Sequence, residues 1–244
     1  MRQFCTLTIG LALTACTPDD TEHRFTFTMS NISAPGDLPD QTGEKHNIAF
    51  APGLLIVHSP DLVLFEPGQV SLWPGLQDMT EDGNNAPLIR DLQNHASVAY
   101  IASYANQDED YKDTPLEPGA SVEHTLVAEP GSLLTFVTMF GQSNDIFVAT
   151  SAPVTLFDDE ESPLVGDLAA HMALFDGGTE LNEEPGVGPN QAPRQPLPNT
   201  GPDENGVVTI VDGTDAEGYS YPQVSEMLTL SSQHEAVIIE LESR

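Results

Sequence analysis

The 244-residue sequence predicts an all-β protein, an antiparallel β-sandwich with one short helix and long acidic loops. Three observations carry this expectation. Short apolar or alternating runs recur along the chain, Pro-Gly and related turn pairs separate them, and only one segment has clear helical spacing.

The first strand is signalled by Phe25, Phe27 and Met29 alternating with Thr26, Thr28 and Ser30, the pattern of one buried face. Residues 31–45 read as loop, with Pro35-Gly36 and Pro39-Asp40 as turn signals. Residues 54–57, 62–65 and 70–73 are apolar runs divided by Ser59-Pro60 and Pro67-Gly68. The helix is expected after Asn85 as cap, with Pro87 in its first turn and Leu88, Ile89, Leu92 and His95 on one face. Strands follow at 98–104, at 122–128 by alternation, and at 133–140 and 146–157 by apolar, β-branched content. The last strand is expected at 236–241, where Val237, Ile239 and Leu241 share a face. Residues 203–221 read as a turn-rich surface loop, and the chain has no internal repeat.

The start, MRQFCTLTIGLALTAC, has one positive residue (Arg2), an apolar stretch and Leu13-Thr14-Ala15-Cys16. An apolar stretch of about a dozen residues is too short to span a bilayer and fits a leader peptide. The expectation is a lipoprotein signal peptide at 1–15, lipid attachment at Cys16 and a polar tether at 16–22. One domain would then occupy 23–244. Export to the bacterial cell envelope follows, with Thr17 favouring the outer membrane. The other cysteine, Cys5, lies in the leader, so a core and bound ions must replace disulfides. The formal charge is −31, and the leader removes one Arg and no acid. Such a field excludes nucleic acid as a default partner, since Lys and Arg must neutralise phosphate. It favours cations, or simply solubility in a saline habitat.

Residues 175–201, FDGGTELNEEPGVGPNQAPRQPLPNTG, have no hydrophobic period. A loop this long in a compact domain is usually functional or disordered. Its first third carries hard oxygen donors: Asp176, Glu180, Asn182, Glu183 and Glu184. Gly177 and Gly178 let the backbone turn tightly enough to aim Asp176 and Glu180 inward. Calcium takes six to eight oxygens, so a third carboxylate must come from elsewhere, and Asp145, just before an apolar strand, is the best candidate. Leu181 stands where a helix-loop-helix calcium loop needs Gly. The competing reading is a set of solvated loop charges. Glu183 and Glu184 are expected to order the loop or lie in water, and Arg194 to pair with a carboxylate or stay exposed.

The run from Asp176 strongly resembles the spondin-domain family, known from the amino-terminal region of F-spondin and from bacterial secreted proteins. Supporting segments are FTFTMSNIS (25–33), APG then His (51–58), MTEDGN (79–84) and TMFGQSNDIF (138–147). The resemblance implies a β-sandwich similar to calcium- and phospholipid-binding modules. It implies a calcium site at Asp145, Asp176 and Glu180, the last matching a position where animal members carry Asp. It also implies a non-enzymatic recognition or adhesion role toward an extracellular or periplasmic protein or glycan. Two other functions stay open: a metal-assisted hydrolase, and a purely structural protein whose calcium locks the loop. His-Glu-x-x-His and Cys/His zinc spacings are absent from the sequence. Gly-Gln-Ser-Asn-Asp lacks the second glycine of a nucleophile elbow at Ser143. His58, at the end of an apolar run, reads as a structural histidine.

Overall fold

The computed structural model describes residues 21–107 and 113–238. The expected leader, the lipidation site Cys16 and most of the tether lie outside the described residues. Tether residues Thr21 and Glu22 instead open the first strand, because the ladder with the last strand pairs Glu22 with Val237.

In chain order the strands are Thr21–Asn31 (β1), Leu38–Pro39 (β2), Lys45–His46 (β3), Gly53–His58 (β4), Val98–Tyr104 (β5), Asn106–Gln107 (β6) and Asp113–Thr114 (β7). Then come Ser121–Val127 (β8), Leu133–Met139 (β9), Ile146–Thr150 (β10), Val154–Thr155 (β11), Gly166–Asp167 (β12), Met172–Asp176 (β13), Thr209–Val211 (β14) and Leu228–Ile238 (β15). The α-helices are Pro74–Asp82 (α1), Ala86–Leu92 (α2) and Val224–Met227 (α3). Helix accounts for 11% of the described residues, so the fold is mostly β. One sheet has the order β12-β15-β1-β8, and the larger has β14-β13-β10-β9-β4-β5 with β11 beside β9. The described pairings within named strands are all antiparallel.

The central strands β4, β9 and β10 of the larger sheet are buried on both faces, which explains their continuous apolar runs. In β4, Leu55 and Val57 enter one buried cluster while Leu54 and Ile56 enter another. Ile146 and Val148 of β10 divide from Phe147 and Ala149 in the same way. The first cluster also takes Phe25, Phe27 and Met29 of β1 and Leu126 of β8. The second is covered by Leu76 and Met79 of α1 and Leu88 and Leu92 of α2. Among the described residues, no helix is long and apolar enough to cross a membrane.

Several expectations are corrected. The helix after Asn85 is α2, but α1 precedes it. With only Leu76 and Met79 on its apolar stripe, α1 gives little periodic signal. Its boundary residues, Pro74 at the first turn and Gly83 (φ +67°) beyond its end, were the readable signs. Asn85 occupies the N-cap position of α2 as expected, but its side chain makes no cap hydrogen bond; its Nδ2 donates to Pro52 O (3.3 Å) and Ser103 Oγ (3.0 Å) instead. Residues 62–65 and 70–73 are not strands. Leu62 and Leu64 seal the outer cluster as loop, while Val70 and Leu72 face solvent. A break at 151–153 separates β10 from β11. The last strand starts at Leu228, where Leu228, Leu230 and Ser232 share a buried face that its polar residues had concealed. Phe175 and Asp176 close β13 and are not loop.

Candidate metal centre

Strand register brings the first two acids together. Ile146 pairs with Asp176, so Asp145 enters β10 beside the point where β13 ends. Gly177 N donates to Asp145 O (3.2 Å) and continues that closure. Asp145 is fully buried and Asp176 is 3% exposed.

The two oxygens of Asp145 have different fates. Oδ2 accepts from Thr179 N (2.7 Å), Thr179 Oγ1 (3.0 Å) and Glu180 N (3.1 Å). Oδ1 is buried and accepts nothing. A buried carboxylate oxygen without a partner costs more than the about 1–3 kcal/mol of a neutral group. Three donors therefore fix the carboxylate, and its other oxygen stays free for a ligand. Asp176 is oriented similarly, with Oδ1 accepting from Gly178 N (2.8 Å) and Oδ2 from Asn182 Nδ2 (2.7 Å).

The third converging acid is Glu204, from the stretch expected to be a surface loop. Residues 177–181 and 202–206 run against each other as a short irregular ladder. Leu181 N donates to Pro202 O (2.9 Å), Glu204 N to Thr179 O (2.9 Å) and Gly206 N to Gly178 O (2.7 Å). One oxygen each from Asp145, Asp176 and Glu204 lies within 4.8 Å of the others. That span is about twice a calcium–oxygen distance of about 2.3–2.6 Å, so one ion could touch all three. Glu204 Oε2 is also buried without a partner. The donors are hard oxygens, the set that suits calcium, magnesium or manganese.

Glu180, the third residue read from the sequence, lies next to this cluster and faces elsewhere. Its backbone N–H holds Asp145, while its carboxylate accepts from Gly201 N (3.0 Å) and Asn144 Nδ2 (3.3 Å). The Gly141–Asp145 segment acts as a strut. Gln142 Oε1 accepts from Ala49 N (2.8 Å) and its carbonyl from Gly186 N (3.0 Å). Asn144 Oδ1 accepts from Glu183 N (3.0 Å). Glu183 accepts from Asn190 N (2.9 Å) and Nδ2 (2.7 Å), and Glu184 accepts from Gln41 N, so both acids order the loop. Arg194 donates to Gln191 Oε1 (3.5 Å) and forms no ion pair among the described residues. Ser143 Oγ donates to Phe140 O (2.6 Å), and His58 bonds Ser59 O (2.8 Å) and Thr135 Oγ1 (2.9 Å).

The electrostatics match the geometry. Burial, then the Asp176 charge, pushes the Asp145 pKa up against its three hydrogen bonds. Asp176 is raised by burial, with Glu217 and Asp215 adding to it. Burial and the charges of Asp176, Glu217 and Asp215 push Glu204 up to about 7. With folded pKa values above the unfolded ones, the ion-free protein binds more protons than its unfolded chain. Their contribution to stability therefore falls as pH rises from about 4 to about 7. His58, His124 and His234, lowered by burial, act with the opposite sign. Subtracting chelator from calcium unfolding curves removes the part common to both. The stabilisation due to calcium should grow across this window, because ligands must be deprotonated to bind. A calcium increment that shrinks with rising pH would show that these carboxylates are not the ligands.

Compared with known proteins, the chain matches no family model and no curated protein.

Proposed function

We propose that this chain is a spondin-like β-sandwich module of the bacterial cell envelope, exported and lipid-anchored at Cys16, that binds calcium and recognises a protein or glycan without turning it over. The observation that carries the metal reading is Asp145, with one oxygen held by three donors and the other buried without a partner, in a residue whose carboxylate converges with those of Asp176 and Glu204. Calcium suits this set better than magnesium, which demands near-octahedral geometry and retains several waters. Bound calcium would neutralise the converging carboxylates and lock the ladder between 177–181 and 202–206.

Two packed layers are supported by the inner cluster, which unites Phe25, Phe27 and Leu230 of one sheet with Phe136, Val148 and Leu174 of the other. A recognition role is favoured over hydrolysis by the surroundings of the centre. The depression beside it, about 390 Å³, is lined by Val70, Gln77, Gly177, Gly178, Thr179, Asp203, Asn205 and Gly206. Asp203 is the one carboxylate in this lining and Thr179 the one hydroxyl, with no Ser, Cys, His or Lys beside them to complete a nucleophile–base pair.

Calcium titration of the purified protein tests the ligand set. Glu204→Gln should weaken the tightest binding step by at least about tenfold, a loss of about 1.4 kcal/mol, and Glu180→Gln by less than about threefold. Equal losses would make Glu180 a ligand, and no loss in Glu204→Gln would remove Glu204 from the centre.

A further inference from the structure

We infer that the cavity between residues 49–52, the end of α1 and the long loop takes a basic side chain, lysine or arginine, of a peptide or protein partner. This rests on the recognition reading above and deepens it by giving the partner's chemistry; the calcium ion is not part of it. The cavity has a volume of about 320 Å³. Four stretches singled out in the sequence meet there: Ala51 and Pro52, Asp82 and Gly83, Met139 with Gln142, and Ala192 with Pro193. The long loop is tied to this place through Asp82 Oδ1, which accepts from Gln195 Nε2 (2.5 Å) and Asn199 N (3.3 Å).

The lining divides by chemistry. Its alanines, its prolines and Met139 offer the apolar surface against which the methylene stem of a lysine or arginine packs. Asp82 and Glu117 are its charged residues, and neither forms an ion pair among the described residues. An apolar wall under two carboxylates, with no cation in the lining, complements a long cationic side chain and repels an acidic one. Gln142 is the independent sign. It lines the cavity and is 9% exposed. Its Oε1 accepts from Ala49 N (2.8 Å), and a backbone N–H can only donate, so the amide orientation is fixed. Nε2 is left as a donor with no partner among the described residues. A peptide carbonyl beside the basic residue would satisfy it, since a largely buried donor without an acceptor is costly.

Titration of the purified protein with capped alanyl-arginyl-alanine and alanyl-lysyl-alanine peptides tests this, with the citrulline peptide as the neutral isostere of arginine. Calcium is held fixed, and about 0.15 M ionic strength screens diffuse binding. The readout is the ε-methyl NMR signal of Met139, inside the cavity. Both basic peptides should shift it saturably, and the citrulline peptide should bind at least about tenfold more weakly. Asp82→Asn and Glu117→Gln should each weaken the basic peptides by about threefold. A control at the exposed Asp159→Asn and Glu160→Gln pair should leave them unchanged. No saturable shift, equal binding of arginine and citrulline peptides, or full binding in both Asp82→Asn and Glu117→Gln overturns the inference and leaves recognition of another partner standing. Cleavage of the peptides during the titration, read by mass spectrometry, overturns recognition without turnover and the inference with it.

Discussion

Calcium at about a hundredfold excess over its dissociation constant should stabilise the protein by roughly 2.7 kcal/mol. For a domain of this size that is a rise in unfolding midpoint of about 5–10 °C. Asp145→Asn should remove the rise, because it takes away a fully buried charge that has one oxygen without a partner. The same change should make the ion-free protein less sensitive to pH, since one buried acid no longer titrates. Magnesium at equal ionic strength should give a smaller shift. Differential scanning fluorimetry with calcium, magnesium or chelator reads all of this together. Equal shifts for both ions, or a shift that survives in Asp145→Asn, would mean that the ions bind diffusely to an acidic surface.

Gly178→Ala should be the most damaging single methyl added at the centre. Gly178 has φ +69°, and a Cβ there would stand 2.5 Å from Val207 O and 2.6 Å from Val207 N. The left-handed backbone costs a non-glycine residue about 1–3 kcal/mol. Forcing the two segments apart adds about 1–3 kcal/mol of overpacking. Gly131→Ala is the matched control, with φ +88° and nothing within 4 Å of the added Cβ. It should show the backbone cost alone. Gly178→Ala should also weaken calcium binding, because Val207 directly follows residues 202–206, the segment that carries Glu204, and Gly206 N donates to Gly178 O. If denaturant midpoints of the two variants coincide, the close approach at Gly178 carries no energy and the ladder is softer than the geometry implies.

The strand pattern of residues 25–30 was legible because each side chain reports its face locally. Asp145 and Asp176 were legible for a related reason: each borders an apolar strand, and a carboxylate at a strand end faces the loops. Glu204 was not. It reaches the centre only because 202–206 pairs with 177–181, a contact without local periodicity. The available signal was Asp203-Glu204-Asn205-Gly206, an acid before an Asn-Gly turn in which Asn205 has φ +59°. Spacing and the spondin resemblance both suggested Glu180. What spacing could not supply were the competing donors, Gly201 N and Asn144 Nδ2, which turn its carboxylate away. The GQSND segment illustrates the same limit. Its sequence shows only that Ser143 lacks a nucleophile elbow, whereas the structure shows what the hydroxyl does: it donates to Phe140 O (2.6 Å) and accepts from Ile146 N (3.1 Å).

The central claim is that Asp145, Asp176 and Glu204 hold one calcium ion. A crystal structure of the protein grown with calcium tests it most directly, through an anomalous difference map. The account requires a peak within about 2.3–2.6 Å of Asp145 Oδ1 and of an oxygen from each of Asp176 and Glu204. A map at saturating calcium with no peak there, or with its strongest peak at other acids, would contradict it.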